Sequence, residues 1–152
     1  MTAPTIPGPE LSGDAGRLHR ARLIELFGRS TIAQNMGLAL SYDAESRALV
    51  RQPYDGRYDH FLDDVHGGSI ATLLDNAGWF TAAAHYPTWI VSVEFSVRLH
   101  EPAGREDLTA TGRIVRAGRR FTSTDMEVRN ASGVLVATGA GTFSVTRSPL
   151  PD

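Results

Sequence analysis

The spacing of apolar residues changes from helical to alternating about halfway along the chain. From Gly67 to about His85 the apolar side chains recur at intervals of three and four residues, which predicts one long helix. Pro87 marks the exit of this helix, and apolar residues then alternate with polar ones, as in a strand. The helix positions that we expect in the core are Ile70, Leu73, Leu74, Ala77, Thr81 and Ala84.

Four strand-like segments follow the helix and are separated by turn residues. They cover 91–100, Asp107–Ala117, Phe121–Arg129 and Val134–Val145. In the first, the apolar residues Val91, Val93, Phe95, Val97 and Leu99 are predicted to face one way, and the polar residues Ser92, Glu94, Ser96, Arg98 and His100 the other. Short turns between long strands favour an antiparallel meander. The predicted fold class is therefore α+β, with a curved antiparallel sheet wrapped around the 67–85 helix.

The N-terminal half carries smaller elements. An amphipathic pattern predicts a helix from Ala15 to about Ser30, and two short strands are predicted at Met36–Asp43 and Ala48–Pro53. A polar loop, Gly56–Val65, leads into the long helix. We predict one domain, residues 15–147, preceded by a disordered leader (1–14) and followed by a flexible tail (148–152).

Composition narrows the possible functions. A chain of 152 residues suits a single domain with its own core, and a net charge of −2 does not suggest a nucleic-acid partner. The absence of cysteine excludes disulfides, a thiol nucleophile and thiolate metal sites, and fits a cytoplasmic location. No apolar run is long enough to predict a membrane-spanning helix.

Asp75 is the one formally charged side chain between Val65 and Val93. A carboxylate in so apolar a helix is costly unless it is paired, hydrogen-bonded or used in chemistry. The helix opens with Gly67 and Gly68, whose backbone N–H groups could hold an anionic oxygen. The simpler alternatives are a carboxylate satisfied by neighbouring polar groups and a tight turn that needs glycine for steric reasons.

Several motifs together resemble the hotdog-fold acyl-CoA thioesterases, in particular the phenylacetic-acid-degradation branch with the thioesterase-superfamily-member-two proteins. The resemblance covers roughly Met36 to Val145. The segments that carry it are His66-Gly67-Gly68, Asp75-Asn76, Val91-Ser92-Val93-Glu94, Glu101-Pro102-Ala103, Gly118-Arg119-Arg120 and Gly141-Thr142-Phe143. The His-Gly-Gly segment with an acid nine residues after the histidine is the most specific of them.

The resemblance implies a role for each matching residue. The N–H of Gly67 would hold the thioester oxygen, and Asp75 would activate water or attack the thioester carbon. Ser92 would position Asp75 or the water, and His66 would orient the loop or contact the thioester. In this family the glycine and the acid come from different subunits, so the resemblance implies a homodimer or homotetramer. It implies an acyl-CoA substrate and no metal or redox cofactor.

The loop before the helix departs from the family pattern. His60 stands where the family usually has Asn or Gln to polarise the thioester carbonyl, a role that an imidazole N–H could also fill. Asp63 stands where the family often has Gly. The loop acids and histidines could alternatively form a metal site, although solvated surface acids are the simpler interpretation.

Five further residues are candidates for substrate binding: Gly68, Asn76, Trp79, Arg119 and Arg120. The arginines lie at a predicted turn, where solvation is the simpler interpretation, but a guanidinium also suits the phosphates of coenzyme A. Trp79, like Phe80 and Trp89, is expected in the core or at an interface and could line an acyl pocket.

The predicted function is hydrolysis of an acyl-CoA thioester with an aromatic or medium-chain acyl group. Two other functions remain open. An enoyl- or hydroxyacyl-thioester hydratase-dehydratase could use the same fold, although such enzymes often carry Asn-Pro where this chain has Asp64-Val65. A non-catalytic acyl-CoA or small-ligand binding protein is the other alternative, and the departures at His60 and Asp63 are its main support.

Overall fold

The structure, a computed structural model, describes residues 11–152. Most of the predicted leader therefore lies outside the described residues. The described elements, in chain order, are α1 (Gly13–Gly28), α2 (Thr31–Met36), β1 (Ala39–Tyr42), β2 (Ala48–Gln52), a 3₁₀ turn (Gly56–Tyr58), α3 (Gly67–Ala83), β3 (Thr88–Leu99), β4 (Leu108–Ala117), β5 (Phe121–Asn130) and β6 (Leu135–Pro149). No helix within residues 11–152 combines the length and the apolar character that a membrane crossing needs.

All six strands form one antiparallel sheet in the order β1-β2-β4-β5-β6-β3. The α+β class is confirmed, with α3 packed against β2 to β6. The predicted four-strand meander is wrong in one respect, because β3 pairs with β6 and not with β4. The segment 100–107 between β3 and β4 contains Pro102 and is too long for a tight hairpin, so β3 can lie at the far edge of the sheet.

The predicted core face of α3 is confirmed. Its six expected positions are all buried, from Ile70 to Ala84. The helix lies very close to β4, because a Cβ atom built on Gly112 would come within 2.4 Å of the backbone oxygen of Ala77. The buried hydroxyl of Thr81 accepts a hydrogen bond from the N–H of Ala48 at 2.9 Å. These contacts hold α3 against the sheet and so fix the direction of its side chains.

A second helix covers α3 near its C-terminal end. Phe27 of α1 packs edge-on against Phe80 with ring centroids 5.0 Å apart, and Leu23 is fully buried. Nε2 of His19 lies 2.9 Å from the backbone oxygen of Ala83. This second layer beside α3 was not predicted, because the apolar pattern of α1 does not say which surface it meets.

The element boundaries differ from the predictions at both ends. The helix α1 begins at Gly13, two residues earlier than predicted, so the last two residues of the predicted leader are helical. The short helix α2 occupies a stretch whose pattern was ambiguous, and Met36 ends this helix and does not begin β1. The strand β6 continues to Pro149 because it pairs with the start of β3, so the first two residues of the predicted tail belong to the sheet.

Candidate active site

Asp75 is a half-buried carboxylate in the middle of α3. The hydroxyl of Ser92 on β3 donates a hydrogen bond to its Oδ1 at 3.4 Å. Burial raises the pKa of Asp75 above its ordinary value, and the Ser92 hydrogen bond opposes part of that shift. No cation within residues 11–152 forms an ion pair with Asp75. The site thus holds a carboxylate that is a stronger base than an ordinary one.

A β-bulge at Val93 brings Ser92 to Asp75. Before the bulge Ser92 pairs with the buried Phe143, and after it Glu94 pairs with Thr142. Paired residues of an antiparallel ladder point to the same face, so Ser92 faces α3 whereas Glu94 faces away. The predicted strict alternation from Val91 to Leu99 is therefore wrong, because the bulge adds one residue and reverses the faces within the strand.

An apolar cavity of about 370 Å³ adjoins this carboxylate. Asp75, Asn76, Trp79 and Ser92 line it, and three of these four residues lie on α3. The remaining walls come from side chains of α1 and α2, from the start of β3 and from one residue beyond β6, among them Leu23, Phe27, Ile32, Trp89 and Pro151. The sequence had indicated Trp89 as a possible pocket residue but not the other four, although the apolar run at the C-terminal end of α1 was a partial signal.

The tryptophans of the cavity are held by specific contacts. The indole N–H of Trp79 donates to the backbone oxygen of Ile90 at 3.2 Å. The ring of Trp79 lies 4.9 Å from that of Trp89 and 4.7 Å from that of Phe80, measured between centroids. An aromatic wall of this kind suits an apolar ligand group, aromatic or aliphatic.

The N-terminus of α3 presents one free backbone donor from the two glycines. His66 is the N-cap residue, and its Nδ1 accepts the N–H of Gly68 at 2.8 Å. The N–H of Gly67 has no acceptor among residues 11–152. Gly67 also allows a close approach of β3, because a Cβ on it would lie 2.9 Å from Cδ1 of Leu99. Gly67 therefore offers a free backbone donor at the helix N-terminus, and His66 caps the helix.

His60 lies in a turn before the helix, and its side chain stabilises that turn. Its Nδ1 accepts the N–H of Leu62 at 3.1 Å, which leaves Nε2 as the ring nitrogen that can donate. Asp63 has a φ of +58°, in the left-handed region where glycine is usually favoured and where Asp is one of the better tolerated alternatives. Asp63 therefore adopts a backbone conformation that glycine favours.

The loop does not bring its acids and histidines together. Within residues 11–152 no group of three His, Cys, Asp or Glu side chains has the geometry of a metal site. Asp59 instead accepts a hydrogen bond from the Tyr54 hydroxyl at 2.6 Å, and Asp64 accepts the N–H of Val65 at 2.7 Å. These acids therefore serve local structure in this protomer.

The two candidate arginines are exposed and lie away from the cavity. Arg119 and Arg120 form the turn between β4 and β5, and neither lines the cavity beside Asp75. Two more arginines lie on strands next to this turn, Arg116 near the end of β4 and Arg147 in β6. The strand β6 passes beside the turn, because the N–H of Val145 donates to the backbone oxygen of Arg120. None of these four arginines has an ion-pair partner among the described residues.

Asp75 and Gly67 are separated along one helix. Eight residues at a rise of 1.5 Å place their backbones roughly 12 Å apart. A carbonyl carbon and its oxygen span little more than one bond, so one carbonyl group cannot contact both Asp75 and Gly67 of the same chain. The structure therefore brings together Asp75, Ser92, Asn76 and Trp79, but leaves Gly67 and His66 at the N-terminal end of the helix and His60 in the turn before it.

Comparisons with known proteins agree on the family. Residues 62–137 match the thioesterase superfamily. A protein of Halobacterium salinarum named as a presumed esterase is 28% identical over 125 residues, which cover 74% of this chain and 82% of the relative.

Solved structures show the same fold. The PaaI protein from the phenylacetic acid degradation operon of Escherichia coli has a TM-score of 0.79 at 19% identity, covering 88% of this chain and 98% of its own. A Bacillus halodurans protein solved with CoA has a TM-score of 0.74 at 25% identity, covering 90% of this chain and 97% of its own. The chain has the hotdog fold and belongs to the thioesterase superfamily.

Proposed function

We propose that this protein hydrolyses an acyl-CoA thioester to a free acid and CoA. The observation that carries the proposal is the Asp75–Ser92 pair on an apolar cavity, because it places a base of raised pKa beside room for an acyl group. The CoA held by the Bacillus halodurans relative supports a CoA thioester as substrate. The wall supports an aromatic or medium-chain acyl group.

The chemistry follows from where the charges develop. The acyl group lies in the cavity, and the thioester carbon faces Asp75. The carboxylate removes a proton from water as the water oxygen bonds to that carbon, or attacks the carbon itself to form an anhydride that water then opens. The carbon–sulfur bond breaks, and the CoA thiolate leaves and takes up a proton. A positioned base contributes roughly 10²–10⁴ in rate.

The oxygen of the thioester also needs a donor, and Gly67 of the same chain lies too far from Asp75 to supply it. The free N–H of Gly67 at a helix N-terminus is suited to that oxygen and is worth roughly 10²–10³ in rate. We propose that it comes from a second protomer, so that Gly67 of one chain faces Asp75 of the other. The Nε2 of His60 and the ring of His66 would then act on the thioester from the same side as this Gly67.

The edge of the sheet supports an association of protomers. Beyond β6, no described strand pairs with β3, which leaves the other edge of a 12-residue strand open. Its apolar residues Val91, Val93, Phe95, Val97 and Leu99 are between 38% and 56% exposed. A long apolar edge strand is normally covered, because its unpaired backbone groups can pair with another chain. We therefore propose that the protein is a homodimer or homotetramer.

For Arg119 and Arg120, the arginines of the β4–β5 turn that lack an ion-pair partner among the described residues, we propose a contact with the CoA phosphates.

The test is thiol release from aromatic and aliphatic acyl-CoAs by the wild type, Asp75→Asn and Asp75→Ala. We expect release from the wild type and a loss of roughly 10²–10⁴-fold in both variants. Asp14→Asn, which changes an exposed acid of α1, is the matched control and should retain full activity. Wild-type turnover in Asp75→Ala would contradict the proposal.

Two other outcomes would favour the alternative functions. Hydration of an enoyl-CoA without thiol release would favour a hydratase, and tight binding of acyl-CoA without turnover would favour a binding protein. A cytoplasmic location remains a prediction.

A further inference from the structure

The segment after β6 closes one side of the apolar cavity. Leu150 packs against the hydrophobic core, and Pro151 lines the cavity that Asp75 also lines. The strand β6 ends at Pro149, so nothing in the sheet holds these residues in place. Their position must come from other contacts.

Two arginines provide those contacts, Arg22 in α1 and Arg29, the C-cap residue of that helix. Nη2 of Arg22 donates to the backbone oxygen of Pro151, and Nη1 of Arg29 to that of Asp152, each at 2.9 Å. Arg29 follows Arg22 by seven positions, about two helical turns, and its backbone is still helical, so both side chains project from the same side of α1. Arg22 is itself held by Glu25, whose Oε1 lies 2.8 Å from Nη1. Hydrogen bonds from a guanidinium are among the stronger ones, and two of them bind adjacent residues.

We propose that Arg22 and Arg29 determine the length of the acyl group by holding residues 150–152 across the cavity as a strap. This inference rests on the proposed function, since it takes the cavity as the acyl site. With the strap in place, Pro151 is part of the wall. Without it, the cavity opens along α1, and a longer acyl chain can extend past the position of Pro151.

The position of the strap can be tested without catalysis. The chain contains two tryptophans, and both Trp79 and Trp89 line this cavity, so intrinsic fluorescence reports on it alone. In the double variant R22Q/R29Q we expect the acrylamide quenching constant to rise about twofold as the strap opens locally. R17Q, which alters an exposed arginine of α1 paired with Asp14, is the matched control and should leave quenching unchanged. R22K/R29K retains both donors and should quench like the wild type.

The selectivity is tested with a series of acyl-CoAs from butanoyl to dodecanoyl and with the matching free acids. For R22Q/R29Q, and for a chain ending at Pro149, we expect the ratio of kcat/KM for long over short acyl groups to rise about tenfold. The Kd values of the free acids, read from tryptophan fluorescence, should shift in the same direction. Unchanged quenching, or an unchanged preference among the free acids, would overturn the strap whatever the activity. No thiol release by the wild type, with quenching and acid binding as expected, would overturn only the proposed hydrolysis.

Discussion

The Ser92 hydroxyl reaches the Asp75 carboxylate because a bulge at Val93 turns Ser92 toward α3. Without the bulge, the alternation of β3 would direct Ser92 to the opposite face of the sheet. The bulge thus gives a residue of the edge strand access to the middle of the helix. It also leaves the Asp75 carboxylate with a hydroxyl as its partner and without a cation.

Ser92→Ala should move the acid limb of the pH–rate profile to higher pH. The Ser92 hydrogen bond lowers the pKa of Asp75, so its loss leaves burial unopposed and raises that pKa further. We also expect a fall of about tenfold in kcat/KM at neutral pH, because the carboxylate is less well oriented. The measurement is kcat/KM against pH. Ser92→Thr, which keeps a hydroxyl at this position of the strand, is the control. An unchanged acid limb in Ser92→Ala would show that the hydrogen bond from Ser92 to Asp75 is not formed.

Asp75→Asn should make the fold more stable at neutral pH. Burial raises the folded-state pKa of Asp75 above its unfolded value, so protonation favours the native state and ionisation opposes it. The variant should therefore gain stability above the folded-state pKa. The difference should shrink as the pH falls through that value and vanish below the unfolded pKa of about 3.9. Urea unfolding across this range measures it, and a variant less stable than the wild type at pH 7 would contradict the expectation.

A mixture of two inactive variants should regain activity if the site is shared between protomers. Gly67→Pro removes the oxyanion donor at a helix position that favours proline, and His66 already has the extended backbone that a following proline requires. After unfolding and refolding together with Asp75→Asn, half of the dimers are mixed, and one of their two sites is intact. Thiol release should recover to about a quarter of the wild-type value.

Two controls make this complementation decisive. Gly67→Ala keeps the N–H and meets only the flexible tip of Leu99, so it should retain far more activity than Gly67→Pro. Sedimentation should give a mass at least twice the 16.4 kDa of one chain. Recovery that stays at zero in a confirmed mixed dimer would contradict the pairing of Gly67 with Asp75 across protomers, and a purely monomeric protein would exclude the shared site altogether.

Gly112→Ala should destabilise the protein by about 1–3 kcal/mol, because an added Cβ would overlap Ala77 and Thr81 on α3. The helix would have to move away from β4 and would carry Asp75 with it, so kcat should fall as well. Denaturant unfolding and thiol release measure the two effects. Gly28→Ala is the matched control, since a Cβ there meets nothing within 4 Å. Equal stability of the two variants would show that α3 is not tightly packed at this point.

The sequence by itself determined the elements and the main chemical candidate. The periodicity of α3 identified its buried face from Ile70 to Ala84, since a helix of that composition can only be buried. The isolated charge at Asp75 identified the candidate base for a local reason, the cost of a carboxylate among apolar residues. The positions of β4 and β5 followed equally from their turns and alternation.

Only the tertiary structure decided which of these elements meet. The pairing of β3 with β6, the reversal of its faces at Val93 and the docking of α1 over Phe80 depend on contacts between residues far apart in sequence. Periodicity reports which side of an element is apolar but not which surface covers it. For that reason the tryptophans could be proposed as pocket residues from the sequence, but the side of the cavity formed by Pro151, which Arg22 holds, could be read only from the folded chain.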